Sequence, residues 1–302
     1  MKKNVVIIRY GELALKSMYV RRRFESILIN NIRSMLNKNN IEGKIVREWG
    51  RIYLYTNDTS KALLILPRVF GVTSISPATR IDSTLSSISA QAVELMSENL
   101  KGDQSFALRV TRTGDHPYTS QDAAVIVGDE IRRGSHARVD LVNPDVELFI
   151  EIRDRYAYLF FDRIKGPGGF PLGAQGRVAA LIDKAESLLA AWYMMRRGCN
   201  VSFIVLNEDI KTRLDSFIDT WYICNKQRIR HVDKHGDLHE IKRIIDEEDV
   251  HGVVTGFSLS IDNDIWYLKK LKDALQYPIL SPLIMFNQED IEEHLSRISV
   301  SI

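Results

Sequence analysis

Cysteine is scarce in this sequence. Only Cys199 and Cys224 occur in 302 residues, which leaves no material for a disulfide framework or a zinc ribbon. Long apolar runs are missing too. No stretch approaches the roughly 20 residues that a membrane span needs, and Arg9 interrupts the short apolar run of the opening MKKNVVIIRYGELALKS. That opening does not read as a secretory leader. No membrane association is expected, and the chain reads as cytoplasmic. No Ser/His/Asp order or paired-carboxylate arrangement stands out. Glycine is absent from one place where it would carry chemistry. Within RVAALIDKAESLLAAWYMMRRG, Arg177 to Gly198, a short buried strand runs into an apolar-faced helix. Many α/β proteins put a glycine-rich phosphate loop at such a junction. Here it reads Ile182-Asp183-Lys184-Ala185-Glu186-Ser187, with no glycine.

What is present describes a globular protein. Hydrophobic residues make up 45% and charged residues 26%, and the length is enough for two or three domains. The net charge of +2 hides a gradient. Residues 1–50 hold 11 Lys/Arg against 4 Asp/Glu, a net +7, and residues 201–302 hold 12 against 18, a net −6. A basic front end suits a polyanion and an acidic back end suits solvent.

Periodicity places a strand at Asn4–Tyr10, a helix at Ser17–Asn37, strands at Lys44–Glu48 and Arg51–Tyr55, and a helix at Ser60–Leu66. The order βαββα suits a small split sheet. A second unit follows, with a helix at Ser83–Asn99, a strand at Ser105–Thr111, and a helix at Gln121–Arg133 capped by Ser120. Strands at Ala137–Leu141, Glu147–Arg153 and Tyr156–Phe161 complete it. Lys165–Gly173 is the densest Gly/Pro segment and reads as an interdomain linker. Beyond it strands alternate with helices: strands at Val178–Ile182, Val201–Leu206, Ile229–Val232, His251–Thr255 and Ile279–Ser281, and helices including Asp209–Asn225, Leu238–Glu247 and Ile265–Leu275. This alternation argues a parallel, doubly wound sheet.

Several clusters bear on function. Arg21, Arg22 and Arg23 stand beside Lys16 and Arg33, with Lys2, Lys3 and Arg9 nearby. Consecutive helical residues fan out and cannot all bury, so they suit a phosphate backbone, or a merely soluble helix face. The second unit adds Arg109, Arg112, His116, Arg132, Arg133 and Arg138, and Tyr118 offers a ring for base stacking. His231, His235 and His239 fall at helical spacing, but Gly236 and a predicted strand interrupt any helix, so a metal site is not expected. Cys199 and Cys224 read as packing residues. The run Asp246-Glu247-Glu248-Asp249 reads as a solvated turn.

Four stretches closely resemble the ThiI family of tRNA 4-thiouridine synthetases: IRYGELALKS…RRRFE at 8–25, LRVTRTGDHPYTSQDAAVIVGDEI at 108–131, ARVDLVNPDVELFIEIRDRYAYLF at 137–160 and KGPGGFPLG at 165–173. The resemblance implies a multidomain α/β and α+β protein. Its parts would be an N-terminal ferredoxin-like domain over 1–60, a THUMP RNA-binding domain over 61–166, and a Rossmann-like, doubly wound PP-loop ATP pyrophosphatase-type domain over 167–302. In such a protein the first two domains hold tRNA, the third adenylates a uridine, and sulfur arrives through a cysteine persulfide. The RNA-binding residues implied are Lys16, Arg21, Arg22, Arg23, Arg109, Arg112, His116, Tyr118 and Lys165. The nucleotide loop maps onto Asp183, Lys184, Glu186, Ser187 and Gly256.

The carry-over fails at three points. The family loop LLLSGGxDSPVAAW stands here as AALIDKAESLLAAW, so Ile182, Asp183 and Lys184 replace Ser-Gly-Gly and Glu186 replaces Asp. Glycines matter in such a loop because backbone N–H groups must approach phosphate closely. Phe257 replaces the acid of the family's VTGESLGQ. Neither Cys199 nor Cys224 takes the place of the sulfur-carrying cysteine, which in the family lies beyond Ile302. The expectation is a tRNA-binding ThiI-like protein with an inactive adenylation domain, with ATP and Mg bound only if the loop functions. The alternative is an active tRNA 4-thiouridine sulfurtransferase with an unusual loop and a sulfur-donor protein in trans. A homodimer is left open. Other THUMP enzymes fit less well: a deaminase needs H-x-E with P-C-x-x-C, and a methyltransferase needs a glycine-rich cofactor loop.

Overall fold

The computed structural model describes residues 5–11, 17–101, 103–135, 137–221, 228–232, 237–262 and 265–298. The chain packs as two units. One comprises the residues up to Arg9, Ile41–Leu63 and Ser74–Lys165, and the other Tyr10–Asn40, Leu64–Thr73 and the chain from Gly166 onward.

In the first unit, strands β1 (Val5–Tyr10), β2 (Lys44–Glu48), β3 (Arg51–Tyr55), β4 (Val72–Asp82), β5 (Ser105–Thr113), β6 (Arg138–Val139), β7 (Val146–Arg153), β8 (Tyr156–Phe160) and β9 (Ile164–Lys165) form one nine-stranded sheet. Its order is β2-β3-β1-β4-β8-β7-β5-β6, with β9 on β4. The separate small sheet expected at the N-terminus is thus continuous with the second one, through β4. That strand has no counterpart in the sequence reading, because Pro77 and four Ser/Thr residues disguise it. Pro77 falls between the stretch paired to β9 (Ser74, Ile75) and the stretch paired to β8 (Thr79–Asp82). Its missing N–H therefore removes nothing from either ladder.

Alternation sorts the residues of β7 and β8 cleanly. Leu148, Ile150, Ile152, Ala157 and Leu159 face helices α3 (Leu85–Asn99) and α4 (Ser120–Ser135) in an apolar core. The opposite face carries Phe149, Tyr158 and Phe160 and is shared with Val5, Ile7, Tyr53 and Ala78. Tyr53 and Tyr158 stack at 4.6 Å. The cap of α4 is Thr119 rather than Ser120: Thr119 Oγ1 accepts from the Asp122 N–H (3.1 Å), and Asp122 returns the bond to the Thr119 N–H (2.9 Å).

The second unit holds the parallel sheet, in the order β12-β11-β10-β13-β14, from β10 (Arg177–Ile182), β11 (Asn200–Val205), β12 (Arg228–His231), β13 (Val253–Val254) and β14 (Ile279–Leu280). Every described pairing in it is parallel, as the strand–helix alternation predicts. Helices α5 (Ala185–Arg196), α6 (Lys211–Trp221), α7 (Leu238–Glu247), α8 (Leu259–Asp262), α9 (Ile265–Leu275) and α10 (Gln288–Ile298) accompany it. Helix α1 (Met18–Lys38) packs in this unit too: Phe24 meets Phe170 edge-on at 5.6 Å, and Asn31 Nδ2 donates to the Leu172 carbonyl at 3.1 Å. The short α2 (Thr59–Ile65) precedes a 3-10 turn.

The Gly/Pro segment expected as a linker is packed along its length. Gly168 exchanges 2.8 Å bonds with Gly71 and Val72, Phe170 N donates to the Arg196 carbonyl (2.9 Å), and Gly173 N to that of Gly198 (2.8 Å). At Gly169 (φ +72°) a Cβ would lie 2.1 Å from the Arg196 oxygen, so only glycine fits.

Another expectation is overturned at Glu248, placed by sequence in a solvated turn. It is buried, accepts from Ser202 Oγ (2.8 Å), and meets Arg230 (3.0 Å) and Arg228 (3.3 Å). A carboxylate leaving water needs such partners, and two arginines on β12 supply them.

In the first unit the decisive polar contact is Glu151 on β7. Its Oε1 accepts from Arg9 Nε (2.9 Å) and NH2 (2.6 Å), and its Oε2 from Arg51 Nε (3.1 Å). Burial alone would raise the Glu151 carboxyl, but Arg9 and Arg51 outweigh it and hold the group below its ordinary value. Its contribution to stability is full above the unfolded value of about 4.3 and is lost as pH falls through the lower folded value. Replacing Glu151 by Ala should therefore cost about 3 kcal/mol in urea unfolding at neutral pH, because it strands the buried Arg9. Glu151→Gln should flatten the acid limb of the stability curve. A cost below about 1 kcal/mol would place the pair among dispensable surface ion pairs.

Candidate functional site

The parallel sheet positions the main candidate. From β10 the order runs to β11 and β12 on one side and to β13 and β14 on the other. The carboxyl end of β10 is thus the switch point where open α/β sheets bind ligands. There Ile182 ends the strand and Ala185 begins α5.

Buried Ser187 organises the loop between them. Its Oγ accepts from the N–H groups of Asp183 (3.2 Å) and Lys184 (3.1 Å). Its own proton has two acceptors within reach, Asp183 Oδ1 (2.8 Å) and the Lys184 carbonyl (2.6 Å). Lys184 Nζ reaches Asp262 Oδ1 at 2.5 Å, and Asp262 Oδ2 accepts from the Ser258 N–H at 2.8 Å. Gly256 is held against the start of α5: a Cβ there would lie 2.5 Å from Ser187 N and 2.7 Å from the Glu186 carbonyl carbon. Glu186 is half-buried in the first turn of α5. Between these groups lies a cavity of about 340 Å³ lined by Asp183, Lys184, Thr255, Gly256, Asp262 and Tyr267. Burial pushes the Tyr267 phenol up, and the carboxylates of Asp183 and Asp262 push it further. Among the described residues, the charged groups at the cavity are two carboxylates and one ammonium. Phe257 beside it is buried.

The cationic residues fall into different environments. Arg22 and Arg23 are exposed on α1. Arg21 is not part of that surface: it is buried, with Nε on Glu25 Oε1 (2.8 Å) and NH2 3.4 Å from the Tyr10 hydroxyl. Lys16, Lys2 and Lys3 lie outside the described residues. Arg109 is half-buried against Glu147 (2.7 Å) and the Leu141 carbonyl (3.0 Å). Arg112, His116 and Tyr118 gather at one loop: Arg112 NH1 donates to the Gly114 carbonyl (3.2 Å), and the His116 and Tyr118 rings stand 5.4 Å apart. Tyr118 is half-buried, its hydroxyl donating to the Ser83 carbonyl and its ring packed against the α3–α4 core. Lys165 is exposed on β9.

Sequence reasoning missed Arg80 and Arg163. Arg80 lies over Tyr156 (4.4 Å) and Tyr55 (5.1 Å), and Arg163 over Phe149 (4.5 Å). Only the sheet order brings these rings and cations together. Asp262 and Tyr267 were missed for the same reason.

His231 sits in β12 with Nδ1 2.6 Å from Glu208, His239 sits in α7, and His235 lies outside the described residues. No group of three His, Cys, Asp or Glu able to hold a metal occurs among the described residues. Cys199 is buried and its thiol is pushed up by that burial, the opposite of an activated nucleophile. Cys224 lies outside the described residues. No helix among the described residues is long and apolar enough to cross a membrane.

A mixed sheet with helices α3 and α4 against it, followed along the chain by a parallel, Rossmann-like sheet with a strand–loop–helix junction at its switch point, defines a multidomain α/β and α+β class. Residues 5–76 match the ThiI ferredoxin-like domain and residues 82–162 the THUMP domain. A Methanosarcina mazei protein named "Probable tRNA sulfurtransferase" is 33% identical over 95% of this chain and 80% of its own length. A Methanothermobacter thermautotrophicus protein of the same name is 32% identical, over 98% and 84%. With a Methanosarcina acetivorans protein so named, identity is 42%, but the match spans about half of that protein (51%). Among solved structures, a Pyrococcus horikoshii protein superposes with a TM-score of 0.85 at 31% identity, over 98% of this chain and all of that one. A 4-thiouridine synthetase–RNA complex with bound ATP has the same fold, with a TM-score of 0.79 at 20% identity, over 98% and 84%. The chain belongs to the ThiI family of tRNA sulfurtransferases.

The contact at Gly256 gives a direct test. Gly256→Ala should force the β13 loop away from α5 and lower unfolding stability by about 1–3 kcal/mol. An unchanged thermal midpoint would show that the loop yields freely.

Proposed function

We propose that this protein binds tRNA as part of tRNA thiolation and that its third domain does not adenylate. The bonds inside the loop carry the reading. A phosphate cradle works by offering backbone N–H groups to the ligand, and here those of Asp183 and Lys184 already donate to Ser187 Oγ. Lys184, the one cation at the cavity among the described residues, is bound to Asp262. A triphosphate would meet two carboxylates and an occupied lysine. The residues present do not fit ATP with Mg.

RNA binding is supported by the THUMP domain and by the exposed Arg22 and Arg23 on α1. The solved relative complexed with RNA shares this fold. Phosphate contacts dominate such affinity and make it salt-dependent. The buried Cys199 thiol, pushed up by its burial, is not poised for persulfide chemistry, Cys224 lies outside the described residues, and a sulfur-donor protein in trans belongs to the active-enzyme alternative.

Calorimetric titration with Mg-ATP, with and without bulk tRNA, tests the reading. Binding of tRNA without micromolar ATP binding is the expected result; micromolar ATP binding would reinstate the active-enzyme alternative. Restoring Ser-Gly-Gly at 182–184 should raise ATP affinity while leaving tRNA affinity unchanged. Replacing both Arg22 and Arg23 by Glu should weaken tRNA binding by about tenfold or more at low salt and lower the salt slope. Unchanged tRNA binding would remove α1 from the interface.

A further inference from the structure

A second cavity of the same unit has the opposite chemistry to the loop cavity. It encloses about 570 Å³ between the Gly169–Phe170 segment, the carboxyl end of α5 and the chain following β14. That size lies within the range of roughly 300–1,000 Å³ typical of small-molecule sites. Phe170, Met194 and Pro282 give it apolar walls, Tyr193 contributes a ring with a hydroxyl, and Arg196 and Arg197 supply two positive charges. Among the described residues, no carboxylate lines it.

The polar groups are held in place. Arg196 Nε donates to the Pro167 carbonyl at 2.8 Å, and its guanidinium lies 5.8 Å from the Trp192 ring centroid. The Tyr193 hydroxyl is 3.2 Å from His294 Nδ1. Arg197 is exposed and makes no ion pair among the described residues. The negative end of the α5 dipole accounts for cations at this position. It does not account for an apolar hollow beside them. A planar guanidinium pairs best with phosphate or carboxylate, and rings and a thioether suit a flat, polarisable body.

We propose that this cavity is a nucleotide monophosphate site separate from the phosphate-loop junction, with the phosphate on Arg196 and Arg197 and the base against Phe170 and Tyr193. The nucleotide has two conceivable sources with one chemistry: a free mononucleotide, or a nucleotide unstacked from a bound RNA. The site does not depend on the state of the adenylation loop.

The test uses the full chain and titrates UMP, AMP and a single-stranded RNA tetranucleotide, followed by tryptophan fluorescence and calorimetry. The expected result is saturable binding that weakens by about tenfold or more in Arg197→Ala and is lost in Arg197→Glu, with thermal midpoints unchanged. Binding of UMP or AMP alone identifies a free nucleotide as the source; binding of the tetranucleotide alone, with the same dependence on Arg197, identifies RNA. Lys184→Ala distinguishes the two cavities. Binding lost in that variant but retained in Arg197→Glu would place the nucleotide at the loop and overturn the proposal. Failure of all three probes to bind the wild-type chain would overturn it equally.

Discussion

One buried carboxylate holds the nine-stranded sheet together. Glu151 comes from the THUMP half of the nine-stranded sheet, whereas Arg9 and Arg51 come from the ferredoxin-like half. Ser76, on the strand joining the halves, takes the remaining arm of Arg9 at 2.8 Å. A lone carboxylate at this depth would be costly, as would a lone guanidinium. Each is tolerable only with the sheet order that brings the others to it. The Phe160 ring, 4.8 Å from the Arg9 guanidinium, closes the cluster. Two families of domain are therefore one folded layer here, and neither could expose its edge without stranding a charge.

In the Rossmann-like unit the frame of the strand–loop–helix junction and the chemistry of its loop rest on different interactions. Strand β10, helix α5 and the close approach of Gly256 all persist, because they are packing features: apolar burial and a backbone contact that a Cβ would block. At this junction the departures from the family pattern lie in the loop. Asp183 and Lys184 bring side chains where backbone would have to face a ligand, and Ser187 takes the N–H groups for itself. Loop polar groups must be satisfied by something. In this chain the protein satisfies them.

Legibility in the sequence followed the range of each interaction. In the parallel unit much could be read from local period alone, and helices α7 and α9 fall where that period put them; α10 has no counterpart in the sequence reading, and the end of the helix expected at Asp209–Asn225 lies outside the described residues. Strand β4 could not, because Pro77 and its Ser/Thr neighbours look like a turn until the partners on either side are known. Arg21 illustrates the same limit at one residue. Its triplet looks like a single basic surface, yet a 100° step per residue turns Arg21 inward onto Glu25 and leaves Arg22 and Arg23 outside. Glu248 reads as one of four acids at a helix end, and only β12 supplies the arginines that bury it.

The sequence by itself determined the family, the order of domains, the parallel character of the second sheet and the loss of glycine at the nucleotide junction. These depend on neighbours along the chain or on motifs with fixed spacing. The tertiary structure decided which charges are structural and which are available, that two sheets are one, and that two cavities of opposite charge lie in the same domain. Such properties depend on groups far apart in the chain, as Arg9 and Glu151 are, or Lys184 and Asp262. Burial multiplies the strength of their interactions, and burial is not written in any local pattern.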